Sequence, residues 1–80
     1  MFYKVDGGMD YVDNAVAIYV ELTDIVAFKV VKGQGDNIYY LCIYFDTYND
    51  EANKSAHICF ESYEKAQEEA DKLCAAISKR

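Results

Sequence analysis

Between residues 16 and 61 apolar side chains recur at every second position, in four runs separated by polar segments. In the first run Val16, Ile18, Val20 and Leu22 share one parity and Ala17, Tyr19, Glu21 and Thr23 the other, the period-two signature of a strand. Thr23-Asp24 offers a tight turn, because Asp can bond its own backbone there. In the second run, residues 25–32, Val26, Phe28 and Val30 oppose Ala27, Lys29 and Val31. Lys32 to Asn37, with Gly33 and Gly35 supplying positive φ, predicts a hairpin loop. The third run, about Ile38 to Phe45, sets Tyr39, Leu41, Ile43 and Phe45 against Ile38, Tyr40, Cys42 and Tyr44. In the fourth, Ala56–Glu61, Ala56, Ile58 and Phe60 face away from His57, Cys59 and Glu61.

At Ser62 the period changes. Tyr63, Ala66, Ala70, Leu73 and Ile77 recur at helical spacing and predict a helix over 63–79, with Ser62 as its N-cap. Lys65–Glu69 and Glu68–Lys72 read as i,i+4 ion pairs on its solvent side. Upstream, Phe2–Val5 reads as a short strand or an arm, and Asp6 to Asn14 as a polar loop around Gly7-Gly8.

The expected fold is α+β: an antiparallel four-stranded sheet, with a fifth strand open as an alternative, and one C-terminal helix packed on one face. Eighty residues make one domain, with an arm and acidic loop over 1–14, the sheet over 15–61 and the helix over 62–80.

One face of such a sheet is claimed by the helix. The positions of the other still carry Tyr19, Tyr40, Tyr44, Cys42, Cys59 and His57, where a solvated face would carry Lys, Thr and Glu. A surface of that kind points to a partner, a dimer mate or a ligand. Tyrosine suits protein contact because it joins a large apolar body to a polar tip. Three covers for the face stay open: a foreign protein, a second copy of this chain, or the N-terminal arm Phe2–Val12 folded back over it.

Charge narrows the partner. Fourteen Asp and Glu against eight Lys and Arg give a net charge of −6, which argues against direct binding of a nucleic-acid backbone. The same balance suits a basic protein partner. Three cysteines exclude a complete disulfide framework within one chain and are expected as reduced thiols, consistent with a cytoplasmic location. No signal-peptide pattern stands at Met1–Val5, and no run reaches the roughly 20 apolar residues that a membrane span requires.

Candidate chemistry is sparse, and no cofactor is expected. His57 and Cys59 share a strand face, Cys42 stands on the neighbouring strand, and Glu61 would complete a four-ligand zinc set, although the spacing is that of no finger or ribbon. As a nucleophile pair, His57 and Cys59 are about 7 Å apart along a strand, long for direct proton transfer. The acidic groups Asp6/Asp10/Asp13 and Asp46/Asp50/Glu51 lack the calcium-loop pattern, and Gly33-Gln34-Gly35 lacks the Lys and helix of a phosphate cradle. Tyrosines on a sheet face resemble a base-stacking platform only superficially, since Lys29 is nearly alone there.

The stretches Val20-Glu21-Leu22-Thr23-Asp24-Ile25-Val26-Ala27-Phe28 and Phe60-Glu61-Ser62-Tyr63-Glu64-Lys65-Ala66 resemble small uncharacterised domains encoded by bacteria and phages, in which a four-strand meander ends in one helix. The resemblance spans about residues 15–79 and implies a layout, not an activity. The expected function is a small acidic, non-enzymatic protein-binding module, with Tyr19, Tyr40, Tyr44, Asp46, Asp50 and Glu51 as its contact residues. In its sharpest version the module is an inhibitor that covers a basic nucleic-acid-binding surface, as small acidic anti-CRISPR proteins of phages do. The alternatives are a metal- or thiol-dependent protein centred on Cys42, His57 and Cys59, and a purely structural homodimer.

Overall fold

Apolar alternation becomes strand at the positions where each parity finds a layer to pack on. The computed structural model describes residues 1–11, 14–46 and 55–79. Its elements are β1 (Phe2–Asp6), β2 (Met9–Asp10), β3 (Ala17–Glu21), a 3-10 turn (Leu22–Asp24), β4 (Ile25–Lys32), β5 (Tyr39–Phe45), β6 (Ser55–Phe60) and α1 (Tyr63–Ser78). β2, β6, β5 and β4 form a four-stranded antiparallel sheet in that order, while β1 and β3 pair as a separate two-stranded antiparallel ribbon. The fold is α+β, with the C-terminal helix against one face of the sheet, as the pattern predicts. No helix among the described residues is long and apolar enough to cross a membrane.

Strand membership departs from a simple meander. The first alternating run does not pair with β4. Its strand β3 pairs with β1 (Tyr3 opposite Val20, Val5 opposite Ile18), and β2 supplies the fourth strand of the sheet. The cause lies at residues 22–24. Instead of a two-residue hairpin the chain makes a 3-10 turn, capped by the Glu21 carboxylate accepting from the Thr23 N–H. Leu22 is thereby buried at 3% exposure, and the chain enters β4 in a different sheet. At the other edge Gly8 lets β2 approach β6 closely: a Cβ there would lie 2.7 Å from the Cys59 carbonyl oxygen and from Ile58 Cγ2. The N-terminal segment is thus strand on both sides of Gly7-Gly8, not a loose arm.

The core lies between the sheet, the ribbon and the helix. Leu41 and Ile43 from β5, Ile58 and Phe60 from β6, Val5 and Val20 from the ribbon, and Ala66, Ala70 and Leu73 from α1 are all buried in one cluster. Each large side chain contributes roughly 1.5–3 kcal/mol by leaving water, before chain entropy is subtracted. Ser62 caps α1 as expected, its Oγ accepting from the Lys65 N–H at 3.2 Å. Small alanines at 66 and 70 let the helix sit close to the sheet.

Two helix positions differ from expectation. Tyr63 is half exposed, with its ring edge-on to Tyr39 and its hydroxyl donating to Gln67 Oε1. Glu69, expected on the solvent side beside Lys65, is buried and pairs instead with Lys72, Oε1 to Nζ 3.9 Å. Residue 69 lies three after Ala66 and four before Leu73, so helical geometry puts it on the buried stripe.

Candidate protein-interaction surface

In an antiparallel ladder directly opposed residues project to the same side, so the register identifies the sheet face turned away from the helix. Tyr40 lies between Val31 and Cys59, Cys42 between Lys29 and His57, and Tyr44 between Ala27 and Ser55. Met9 of β2 extends the row beyond Cys59. Seven of these ten side chains, counting Ala27, Val31, Tyr40, Cys42, Tyr44, Cys59 and Met9, are wholly or largely apolar.

At the centre of this face Cys42 is only 3% exposed, although it points away from the core. Its cover is built from its neighbours. Lys29 extends over the Tyr44 ring, with Nζ 5.7 Å from the ring centre, and Tyr44 meets His57 edge-on at 6.4 Å. Ser55 Oγ lies 3.1 Å from His57 Nε2. Burial pushes the Cys42 thiol above its ordinary value, against the opposing pull of the Lys29 charge and a hydrogen bond with Tyr44. A thiol held protonated is a poor nucleophile and a poor metal ligand. Among the described residues no three His, Cys, Asp or Glu side chains converge as a metal-binding set.

The second centre of the face is Tyr40. Tyr11, just past β2, packs edge-on against it with ring centres 5.7 Å apart and planes at 84°. Two backbone bonds hold Tyr11 there: its own N–H donates to the His57 carbonyl at 2.8 Å, and the preceding Asp10 N–H donates to the Ala15 carbonyl at 2.7 Å. Desolvation raises the Tyr40 phenol above its ordinary value, with Cys59, Tyr11 and Cys42 adding to the shift. Gly33 permits this packing from the hairpin side, since a Cβ there would lie 2.7 Å from the Tyr40 ring. Beside the Tyr11–Tyr40 pair opens a concavity of about 680 Å³, bordered also by Gly8, Asp10, Cys59, Glu61 and Lys65.

Of the six contact residues expected from sequence, Tyr40 and Tyr44 stand together on this face. Tyr19 does not. It belongs to the β1–β3 ribbon, opposite Lys4 and well exposed, because β3 never joins the sheet. Asp46 follows β5 directly and is exposed; its N–H donates to the Asp24 carbonyl at 2.8 Å, bringing two acidic residues to one end of the β4–β5 pair. Asp50 and Glu51 lie outside the described residues. Cys42 and His57 are direct neighbours, whereas Cys59 opposes Tyr40 instead.

Met9 and Tyr11 escape a reading of the sequence alone. Their only signal is a two-residue spacing after Gly7-Gly8, too short to register as alternation. Of the three covers for the face, the N-terminal segment supplies one at the β6 edge, through Met9 and Tyr11. No family model matches the chain, and no curated protein or solved structure matches it.

Proposed function

We propose that this chain is a small, non-enzymatic protein-binding module whose contact surface is the sheet face bearing Tyr40 and Tyr44. One observation carries the reading: the face opposite the helix is built from aromatic and small apolar side chains ordered by ring–ring and cation–ring contacts. Ordered aromatics lose little conformational freedom on binding, which is why such positions dominate interface energetics. The net charge of −6 and the neighbouring Asp24 and Asp46 favour a partner with an apolar centre and a basic rim. In its sharper form the partner's basic surface is one that binds nucleic acid, and the module acts by covering it, in the manner of the phage anti-CRISPR inhibitors.

The test compares baits. Wild type, Tyr40→Glu/Tyr44→Glu and a charge reversal of Asp46, Asp50 and Glu51 are used to capture partners, after thermal melts have shown each to be folded. The reading expects a protein retained by wild type and lost from the tyrosine variant, with binding by the charge-reversed variant reduced and less sensitive to salt. Equal retention by all three would overturn it. A wild-type dimer by light scattering that becomes a folded monomer in the tyrosine variant would reassign the face to self-association.

A further inference from the structure

We propose that the free edge of β4 pairs with β4 of a second copy of this chain, antiparallel and about a two-fold axis at Val30, to form a homodimer. The inference goes beyond the protein-binding reading, since it concerns the rim of the sheet and not its tyrosine face. β4 ends the strand order β2-β6-β5-β4, and no strand among the described residues pairs with its outer side. At eight residues, none of them proline, it is the longest described strand. An exposed edge of that length presents a row of unpaired main-chain donors and acceptors, and their complement is another extended strand.

The β4–β5 hairpin fixes which groups point outward. The Gly33 N–H donates to the Ile38 carbonyl at 2.8 Å, and the same register runs on through Lys32–Tyr39 and Val31–Tyr40. Hydrogen-bonded pairs alternate along an antiparallel ladder, so Val31 and Lys29 turn their main-chain groups towards β5. Those of Phe28, Val30 and Lys32 therefore point away from the sheet. The register shift between Ile25 and Ala27 confines regular strand geometry to the stretch after it. A two-fold at Val30 uses that stretch in full. Phe28 exchanges bonds with Lys32 of the second copy, Val30 with Val30, and Lys32 with Phe28.

The side chains of β4 select a second copy in this register. Lys29, the residue that would guard the edge, is drawn over the Tyr44 ring of β5, with Nζ 5.7 Å from its centre. In the dimer Lys29 lies opposite Val31 of the second copy, and Lys32 opposite Phe28. Moving the two-fold to Lys29 would set two lysines face to face. Moving it to Phe28 would draw in the irregular segment, and moving it to Val31 would lose a bonded pair. Phe28, Val30 and Val31 are half-buried, and pairing removes more of their apolar surface from water. Asp24 and Asp36 lie beyond the paired stretch, and each copy carries a net charge of −6, so the dimer is modest and tightens as salt screens the repulsion. A two-fold normal to the sheet keeps both tyrosine faces on one side, so a partner of that face would meet two copies of it.

The experiment measures solution mass by sedimentation of the isolated chain from about 5 to about 500 μM, a range suited to a small interface. Expected is a reversible monomer–dimer equilibrium that Val30→Pro weakens about tenfold or more, because proline deletes a donor that the monomer's own ladder does not use. Lys32→Pro, at an exposed position, deletes the next outward donor and keeps the test decisive if Val30→Pro melts early. Amide exchange supplies a second readout. Phe28, Val30 and Lys32 should gain protection as concentration rises, while Lys29 and Val31 stay protected throughout. A monomer over the whole range would overturn the proposal. So would a dimer that survives both proline variants and is lost in Tyr40→Glu/Tyr44→Glu, which would place self-association on the tyrosine face. Outward amides protected only when a captured protein is present would assign the edge to a foreign strand and overturn the homodimer. Mass and exchange are read with no partner present, so failure here is separable from failure of the protein-binding reading.

Discussion

Glu69 Oε1 lies 3.9 Å from Lys72 Nζ, while its other oxygen, Oε2, is buried with no hydrogen-bond partner among the described residues. The residue sits on the inner stripe of α1, only 7% exposed. Burial pushes its carboxyl above the ordinary range; Lys72 pulls it down, and Asp6 and Glu68 push it further up. Tyr3, packed nearby on β1, is raised by its own burial and by the Glu69 charge. The groups facing Glu69 are therefore one cation, two carboxylates and a phenol.

The pH dependence follows from the direction of the shift. A carboxyl whose folded pKa exceeds its unfolded value binds a proton more tightly in the native state. Its contribution to stability is fully present below the unfolded pKa and is lost as pH rises through the folded pKa. Glu69→Gln, which keeps the shape and removes the charge, should therefore be more stable than wild type at pH 7, by about 1 kcal/mol or roughly 4–8 °C in Tm for a domain of this size. The difference should shrink as pH falls towards the carboxyl range. Paired thermal melts from pH 4 to pH 8 check it; a variant less stable than wild type throughout would mean that the Lys72 pair outweighs the cost of burial.

That residue also shows how far the sequence could be read. The central strands, the cap at Ser62 and the stripe Ala66–Ala70–Leu73 were legible because each apolar position there finds a cover. Glu69 is hidden because its residue type points to solvent while the helical period puts position 69 on the buried stripe whatever its chemistry. The pairing of β3 was hidden for another reason. Alternation fixes which side of a strand is apolar but not which strand lies beside it, and that choice was made by the 3-10 turn at Leu22–Asp24. Tyr40 and Tyr44 could be placed together from one strand's parity, whereas grouping Tyr19 with them needed a pairing that does not exist.

Gly8 carries the edge strand. Its missing Cβ allows β2 to lie against β6 and so sets both Met9 and Tyr11 on the tyrosine face. Gly8→Ala would force a methyl group to within 2.7 Å of the Cys59 carbonyl and Ile58. Overpacking of this kind typically costs about 1–3 kcal/mol, and here the least costly relief is separation of β2. The expected result is a lowered Tm together with faster exchange of the Tyr11 amide, whose bond to the His57 carbonyl depends on β2 staying in place. Amides of β4 and β5 should exchange in proportion to the change in global stability alone. Unchanged Tyr11 protection would show that β2 tolerates the methyl group.

The three cysteines should separate by reactivity in an order their surroundings dictate. Cys74 is exposed on α1, Cys59 is half-buried at the border of the concavity, and Cys42 is buried beneath Lys29, Tyr44 and His57. Alkylation requires the thiolate and a path to it, and Cys42 is short of both, since burial raises its thiol and its neighbours close over it. In native protein at pH 8, iodoacetamide followed by mass spectrometry should label Cys74 first, Cys59 more slowly, and Cys42 only on the timescale of opening. Lys29→Ala removes the chain that lies over the Tyr44 ring and should accelerate Cys42 labelling while the melt stays cooperative. If native Cys42 reacts as fast as Cys74, the face is open at its centre, and the ordered aromatic surface on which partner binding rests does not persist in solution.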